Sequence, residues 1–263
     1  MNPTLRIAAV PLDIAWTDPA RNLQRMRNAV DDLPAGTDLV VLPELFTTGF
    51  INDGALLQTL AEPNSGPTMQ AVAALARERN IAIAGSFLAR TGQHYYNRGF
   101  IVEPSGDETF YDKRHLFCIS SEAAVYRPGT DAMPIVRFRG WNLSMIVCYD
   151  LRFPAWCRNR NNAYDILLVP ANWARARSYA WEHLLIARAI ENQAIVVGAN
   201  RSGNDDYGNY DGLTYIYDVN GKPAGRPAAP GSKIVVADVS HDDVATARRR
   251  LPVCQDADCF NII

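Results

Sequence analysis

Cys148 closes an apolar run at 142–147 and is followed by Tyr149-Asp150-Leu151-Arg152-Phe153-Pro154, where Pro154 suits the first turn of a helix. A thiol at such a strand-to-helix turn faces the positive end of the helix dipole, which lowers its pKa and favours the nucleophilic thiolate. Position alone leaves open a cysteine that only packs. Glu44 follows the apolar run 39–42 and Pro43. A carboxylate at the mouth of a buried sheet is partly desolvated and suited to act as a base, with an exposed loop glutamate as the alternative. Lys113 lies in Phe110-Tyr111-Asp112-Lys113-Arg114-His115-Leu116-Phe117, just past a strand end. Its ammonium can stabilise an oxyanion or hold a carboxylate, or it can be a solvated surface lysine. Glu122, in Ser120-Ser121-Glu122, is unremarkable by itself.

Other chemistry finds less support. Cys118 and Cys157 read as packing residues, and Cys254 and Cys259 lack the paired spacing of a zinc site. His94, His115, His183 and His241 are scattered, without a His-x-x-x-His pair. A tyrosine-phosphatase loop needs Arg where Pro154 stands, and the local sequence expected around a papain-like cysteine is absent. Neither a phosphate-cradling glycine loop nor a dinucleotide fingerprint occurs. With 26 basic and 28 acidic side chains the net charge of the 263 residues is −2, with 48% hydrophobic and 21% charged residues. That balance argues against disorder and against nucleic-acid binding through bulk positive charge. No apolar run approaches the roughly 18 to 20 residues that cross a bilayer, and the N-terminus does not read as a signal peptide. Five cysteines, an odd number, suit reduced thiols and a cytoplasmic protein.

These residues must be held by a framework. Val-, Ile- and Leu-rich runs predict strands at 5–10, 38–43, 81–87, 98–102, 109–111, 135–138, 142–147, 166–169, 194–199, 213–217 and 233–238. Helices are predicted at 19–33, 67–79, 154–161 and 179–192, with Pro19 and Pro67 in first turns and Ser178 as an N-cap. Turns fall at 104–107 and 218–221. Fully apolar strands mixed with helices mean an α/β sandwich with buried sheets. Asp38-Leu-Val-Val-Leu-Pro-Glu-Leu-Phe46 also matches Asp165-Ile-Leu-Leu-Val-Pro-Ala-Asn-Trp173 in pattern. Each copy precedes a helix and a strand near Gly85 or Gly198, as two similar halves packed sheet to sheet would require; chance matching of buried strands is the alternative. Nothing in composition divides the chain, so one domain over residues 1–263 is expected.

Taken together, Leu42-Pro43-Glu44, Tyr111-Asp112-Lys113-Arg114-His115-Leu116-Phe117 and Val147-Cys148-Tyr149-Asp150-Leu151-Arg152-Phe153-Pro154 resemble the three signature blocks of the nitrilase, or carbon–nitrogen hydrolase, superfamily, in its order Glu, Lys, Cys. The resemblance runs over essentially the whole chain. It implies a four-layer αββα sandwich with pseudo-twofold halves, a cysteine-dependent amidohydrolase, no metal or organic cofactor, and at least a homodimer. It further implies that Cys148 attacks the amide, Glu44 shuttles the proton, Lys113 and the backbone N–H of Tyr149 hold the oxyanion, and Glu122 orients the site.

Within the superfamily, Pro170-Ala171-Asn172-Trp173, the segment at 187–193 and the tail Gln255-Asp256-Ala257-Asp258 resemble the bacterial omega-amidase branch, although Cys254 and Cys259 depart from its tail. Omega-amidases take 2-oxoglutaramate and 2-oxosuccinamate, small amides with a distant carboxylate. Asn172 and Trp173 would line such a pocket. Arg152 or Arg201 would meet the carboxylate, each with a structural salt bridge as its alternative. An N-carbamoyl amino acid amidohydrolase shares the catalytic residues, and a catalytically degenerate binding subunit is the reading from another class. No nucleic-acid or membrane partner is expected.

Overall fold

The computed structural model of the chain describes residues 3–262. In chain order the strands are β1 (Thr4–Ala9), β2 (Leu39–Val41), β3 (Ala82–Thr91), β4 (His94–Val102), β5 (Glu108–Asp112), β6 (Val136–Phe138), β7 (Trp141–Met145), β8 (Ile166–Ala171), β9 (Ile195–Asn200), β10 (Ser202–Asp205), β11 (Gly208–Asp211), β12 (Tyr215–Tyr217), β13 (Arg226–Pro227) and β14 (Val235–Ser240). The helices are α1 (Pro19–Asp31), α2 (Gly54–Leu60), α3 (Pro67–Arg79), α4 (Glu122–Val125), α5 (Pro154–Cys157), α6 (Ser178–Asn192) and α7 (His241–Arg250). Every strand expected from apolar patterning coincides with an observed one.

One sheet runs β13-β14-β1-β2-β3-β4-β5 and the other β12-β9-β8-β7-β6. In the first, β1, β2 and β3 are parallel, flanked by antiparallel β14 and β4. In the second, β7, β8 and β9 are parallel, flanked by antiparallel β6 and β12. The order β14-β1-β2-β3-β4 is thus repeated as β6-β7-β8-β9-β12, and the two matching sequence segments supply β2 and β8, the middle strand of each copy. Alternation decides which layer each residue joins. Leu39 and Val41 of β2 meet the core between the sheets, together with Leu143 of β7 and Leu168 of β8. Val40 and Leu42 face the other way, onto Met26 of α1 and Val72 of α3. Trp181, Leu185 and Ala189 of α6 cover the far face of the second sheet. The result is an αββα sandwich. Each fully buried Val or Leu contributes about 1.5–3 kcal/mol to it.

Differences from the sequence expectation have local causes. The helix expected at 154–161 stops at Cys157, because Asn159 turns its amide onto the backbone of Tyr164 (2.8 and 3.1 Å) and Asn161 and Asn162 take positive φ. The strand expected to reach 147 ends at Met145, and the Val147 N–H goes to the Asp150 carboxylate (3.1 Å). Ser178 begins α6 instead of capping it, since a 3-10 turn at Arg175–Arg177 runs into the helix. Helices α2 and α7 were not expected: α2 is seven residues long, with only Leu56, Leu57 and Leu60 on its apolar face, and α7 buries only Val244.

Glu44, Cys148 and Asn172 follow the C-terminal ends of parallel strands, the edge where open α/β sheets place their ligands. Lys113 leaves β5 at the same edge, held by Lys113 N–H to Asn97 O (3.0 Å) and Gly129 N–H to Lys113 O (2.9 Å). A Cβ on Gly129 would lie 2.0 Å from Asp112 O, so only glycine permits this approach. Gly129→Ala should therefore cost about 1–3 kcal/mol, seen as a melting temperature several degrees lower with activity reduced in parallel. An unchanged melting curve would contradict the packing described.

Candidate active site

Three charged side chains, Glu44, Lys113 and Glu122, meet almost wholly buried at the floor of a cavity. Glu44 is 1% exposed, and its Oε1 accepts from Lys113 Nζ (2.9 Å) and Asn97 Nδ2 (2.7 Å), while Oε2 accepts from the Asn172 N–H (2.8 Å). Asn97 is fixed in turn by Ser86, whose hydroxyl donates to Asn97 Oδ1 (2.9 Å) and accepts from the Leu45 N–H (2.8 Å). On its other side Lys113 Nζ donates to both oxygens of Glu122 (2.9 and 3.1 Å), which also accepts from the Phe117 N–H. Burial would depress the Lys113 pKa, but the charges of Glu122 and Glu44 outweigh it and the ammonium is held well above the ordinary lysine range. Burial pushes the Glu122 carboxyl up against the opposing pull of Lys113.

Cys148 sits beside this cluster, 9% exposed, at φ +46° on a 3-10 turn at Cys148–Arg152. A non-glycine residue in that region is strained and persists only where its surroundings hold it. Asp150 supplies the hold. Fully buried, it accepts from Tyr111 OH (2.8 Å), the Val147 N–H (3.1 Å) and the His115 N–H (2.8 Å), and it pairs with His115 Nδ1 (2.8 Å). His115 stacks on Phe153 at 3.7 Å, closing the turn.

The expected dipole effect on Cys148 is not what the structure gives. Helix α5 has four residues and starts at Pro154, beyond the turn, so it places no macrodipole on the sulfur. Burial and then the negative charge of Glu44 push the thiol well above its ordinary range, with Lys113 pulling the other way. Both effects favour the protonated thiol, which lies next to a carboxylate able to take its proton.

A cavity of about 420 Å³ opens over Glu44, Lys113 and Cys148. Tyr149, Asn172 and Trp173 line it, and the side-chain oxygen and nitrogen of Asn172 find no partner among the described residues. Arg152 lines it too, its guanidinium 4.8 Å from the centroid of Trp173. Arg177, overlooked in the sequence, adds a second guanidinium over Phe117 at 5.1 Å. Glu122 stands behind Lys113. Arg201 does not line the cavity. Its fully buried guanidinium is taken up by Asp205, by Ile14 O (3.1 Å) and by the ring of Tyr210 (4.3 Å), so the expectation that it meets the substrate carboxylate is corrected. Sequence reasoning also missed Asn97, Ser86 and the clamp role of Asp150, although Asp150 and His115 lie inside the quoted blocks.

A family model described as carbon-nitrogen hydrolase matches residues 6–249. The chain belongs to the carbon–nitrogen hydrolase family. An omega-amidase of Escherichia coli K12 is 39% identical over 99% of both chains, and a 2-oxoglutaramate amidase of Bacillus subtilis 168 is 31% identical over 95% of this chain and 96% of its own. Among solved structures, the CN-hydrolase superfamily protein XC1258 of Xanthomonas campestris, which carries an arsenic adduct in its active site, superposes with TM-score 0.91 at 36% identity, covering 99% of each chain. An amidase of Nesterenkonia sp. AN1 with acrylamide added to its active-site cysteine superposes at TM-score 0.79 and 26% identity, covering 94% of this chain and 98% of its own. The family bears out the expectation of a cysteine-dependent amidohydrolase and of the αββα sandwich. Among the described residues no helix is long and apolar enough to cross a membrane.

The charge arrangement predicts an inverse effect in Glu44→Gln. Removing the negative charge leaves Lys113 as the dominant neighbour, so the Cys148 thiol should titrate at lower pH than in the wild type, read by thiolate ultraviolet absorbance. Turnover should meanwhile fall roughly 100-fold or more for want of a base. A thiol that titrates unchanged or higher, or near-normal turnover, would contradict the pairing.

Proposed function

We propose that this carbon–nitrogen hydrolase is an omega-amidase that hydrolyses the terminal carboxamide of 2-oxoglutaramate and 2-oxosuccinamate. The observation that carries the reading is a cavity with a buried thiol, carboxylate and ammonium at its base and two guanidinium groups, Arg152 and Arg177, in its lining. Such a cavity suits a short substrate that is an amide at one end and an anion at the other. Relatives named omega-amidase and 2-oxoglutaramate amidase support the same choice.

An amide is a weak electrophile with a poor leaving group, so it needs a strong nucleophile, an oxyanion clamp and a proton for nitrogen. Glu44 takes the Cys148 proton as sulfur attacks the amide carbon. Lys113 Nζ and the Tyr149 N–H hold the tetrahedral oxyanion. As the C–N bond breaks, Glu44 returns the proton to nitrogen and ammonia leaves a thioester on Cys148. Glu44 then deprotonates a water that attacks the thioester, and the released thiolate regains its proton. Glu122 keeps Lys113 in place throughout. Arg152, stacked on Trp173, takes the substrate carboxylate with Arg177 beside it, and Asn172 completes the pocket. The whole chain works as one domain in a homodimer, and its odd count of cysteines fits the cytoplasm.

Ammonia release from 2-oxoglutaramate, 2-oxosuccinamate, glutamine, a carbamoyl amino acid, a simple neutral amide and a nitrile tests the assignment, with the highest kcat/KM expected for the 2-oxo acid monoamides. Arg152→Ala should raise KM for these by roughly 10-fold or more while sparing the neutral amide, because a charged group loses its partner. A wild-type preference for the carbamoyl amino acid would overturn the substrate assignment. Equal losses on charged and neutral amides would remove Arg152 from carboxylate recognition.

A further inference from the structure

The buried guanidinium that the chemistry leaves unused sits at the root of a hairpin. Strands β10 and β11 form a two-stranded sheet of their own, four residues apiece, joined to the loop after β1 by a single bridge from Ser202 to Asp13, and a two-stranded hairpin is marginal in water. Yet this hairpin brings Tyr207 and Tyr210 to the cavity. Its root is tied down by the Ser202 N–H to Leu12 O (2.8 Å) and Ser202 Oγ to Pro11 O (3.1 Å). Beyond the root, Arg201 provides the hold. The fully buried guanidinium binds Ile14 O on the loop after β1, pairs with Asp205 (side chain 2% exposed) at the end of β10, and lies 4.3 Å from the centroid of Tyr210 on β11. One cation thus joins both hairpin strands to the sandwich. In the cavity lining Tyr207 meets Phe50 edge-on at 5.9 Å, and Phe50, Tyr207 and Tyr210 supply its aromatic wall.

We propose that the β10–β11 hairpin is a substrate-selecting wall and that Arg201 is its positioning residue, acting through Tyr210 and Asp205 on the acyl chain between the reacting amide and the distant carboxylate. The identity of that chain rests on the omega-amidase reading; the wall itself does not. Aromatic rings pack methylenes, and their fixed spacing selects among acids that differ by one carbon.

The test measures kcat and KM for 2-oxoglutaramate and its one-carbon-shorter homologue 2-oxosuccinamate in Asp205→Asn, Tyr210→Leu, Tyr210→Phe and Arg201→Met, with the rate of Cys148 alkylation by iodoacetamide alongside. Asp205→Asn and Tyr210→Leu should raise KM by roughly tenfold, the scale of a desolvated cation–π contact, and narrow the preference between the homologues. In both, kcat and Cys148 alkylation should stay within about twofold of wild type. Tyr210→Phe keeps a ring on the guanidinium and should recover most of the KM lost in Tyr210→Leu. Should Arg201→Met fail to fold, the other three variants carry the test. Unchanged KM in Asp205→Asn and Tyr210→Leu would overturn the proposal, as would parallel loss of kcat and alkylation at constant KM. If the wild type prefers another amide, the omega-amidase reading fails separately, and the same KM-against-kcat split is read on that amide and its one-carbon homologue.

Discussion

An ammonium group held out of water between two carboxylates governs the rest of this structure. Lys113 is 1% exposed, and taking such charges from water costs several kcal/mol per ion unless each is paired and hydrogen-bonded. The protein meets that demand on every side. Glu44 and Glu122 flank the nitrogen, Asn97 and the Asn172 N–H also donate to Glu44, and the Phe117 N–H donates to Glu122. With Lys113 paired on both sides, the thiol of Cys148 stands among fixed charges in a medium that screens them weakly. Its proton is retained by burial and by Glu44, and the same Glu44 is the group placed to remove it.

The sandwich serves this arrangement. Two copies of one topology bring the ends of parallel strands to a common edge, so that Glu44 from one half meets Cys148 and Asn172 from the other. Each arrives on a short, rigid connection. Leu45 and Cys148 both take positive φ, and both turns are closed by buried hydrogen bonds, from the Leu45 N–H to Ser86 Oγ in one and from the Val147 N–H to Asp150 in the other. Rigid placement of this kind lets a weak electrophile be attacked without reorganising the site.

The strands were legible because buried parallel strands read as unbroken Val, Ile and Leu runs, and the repeat at 38–46 and 165–173 disclosed the two halves. What was not legible depended on partners distant in sequence. A local dipole argument assigned Cys148 a lowered pKa, whereas burial and Glu44 raise it. Arg152 and Arg201 looked equivalent as isolated arginines; folding gives Arg201 the buried carboxylate of Asp205 and sets Arg152 on the face of Trp173 in the cavity. Arg177 escaped notice in the exposed turn Arg175-Ala176-Arg177, and the hairpin carrying Tyr207 and Tyr210 has polar strands with no alternating pattern to detect.

Rapid-quench intact-mass spectrometry of the wild-type enzyme during turnover of 2-oxoglutaramate examines the central claim most directly. A buried thiol activated by Glu44 predicts a transient species heavier by the acyl group, mapped to Cys148 and decaying no more slowly than the enzyme turns over. Ammonia release without any acyl adduct under conditions where a synthetic thioester on Cys148 survives the quench, or an adduct on another residue, would contradict it.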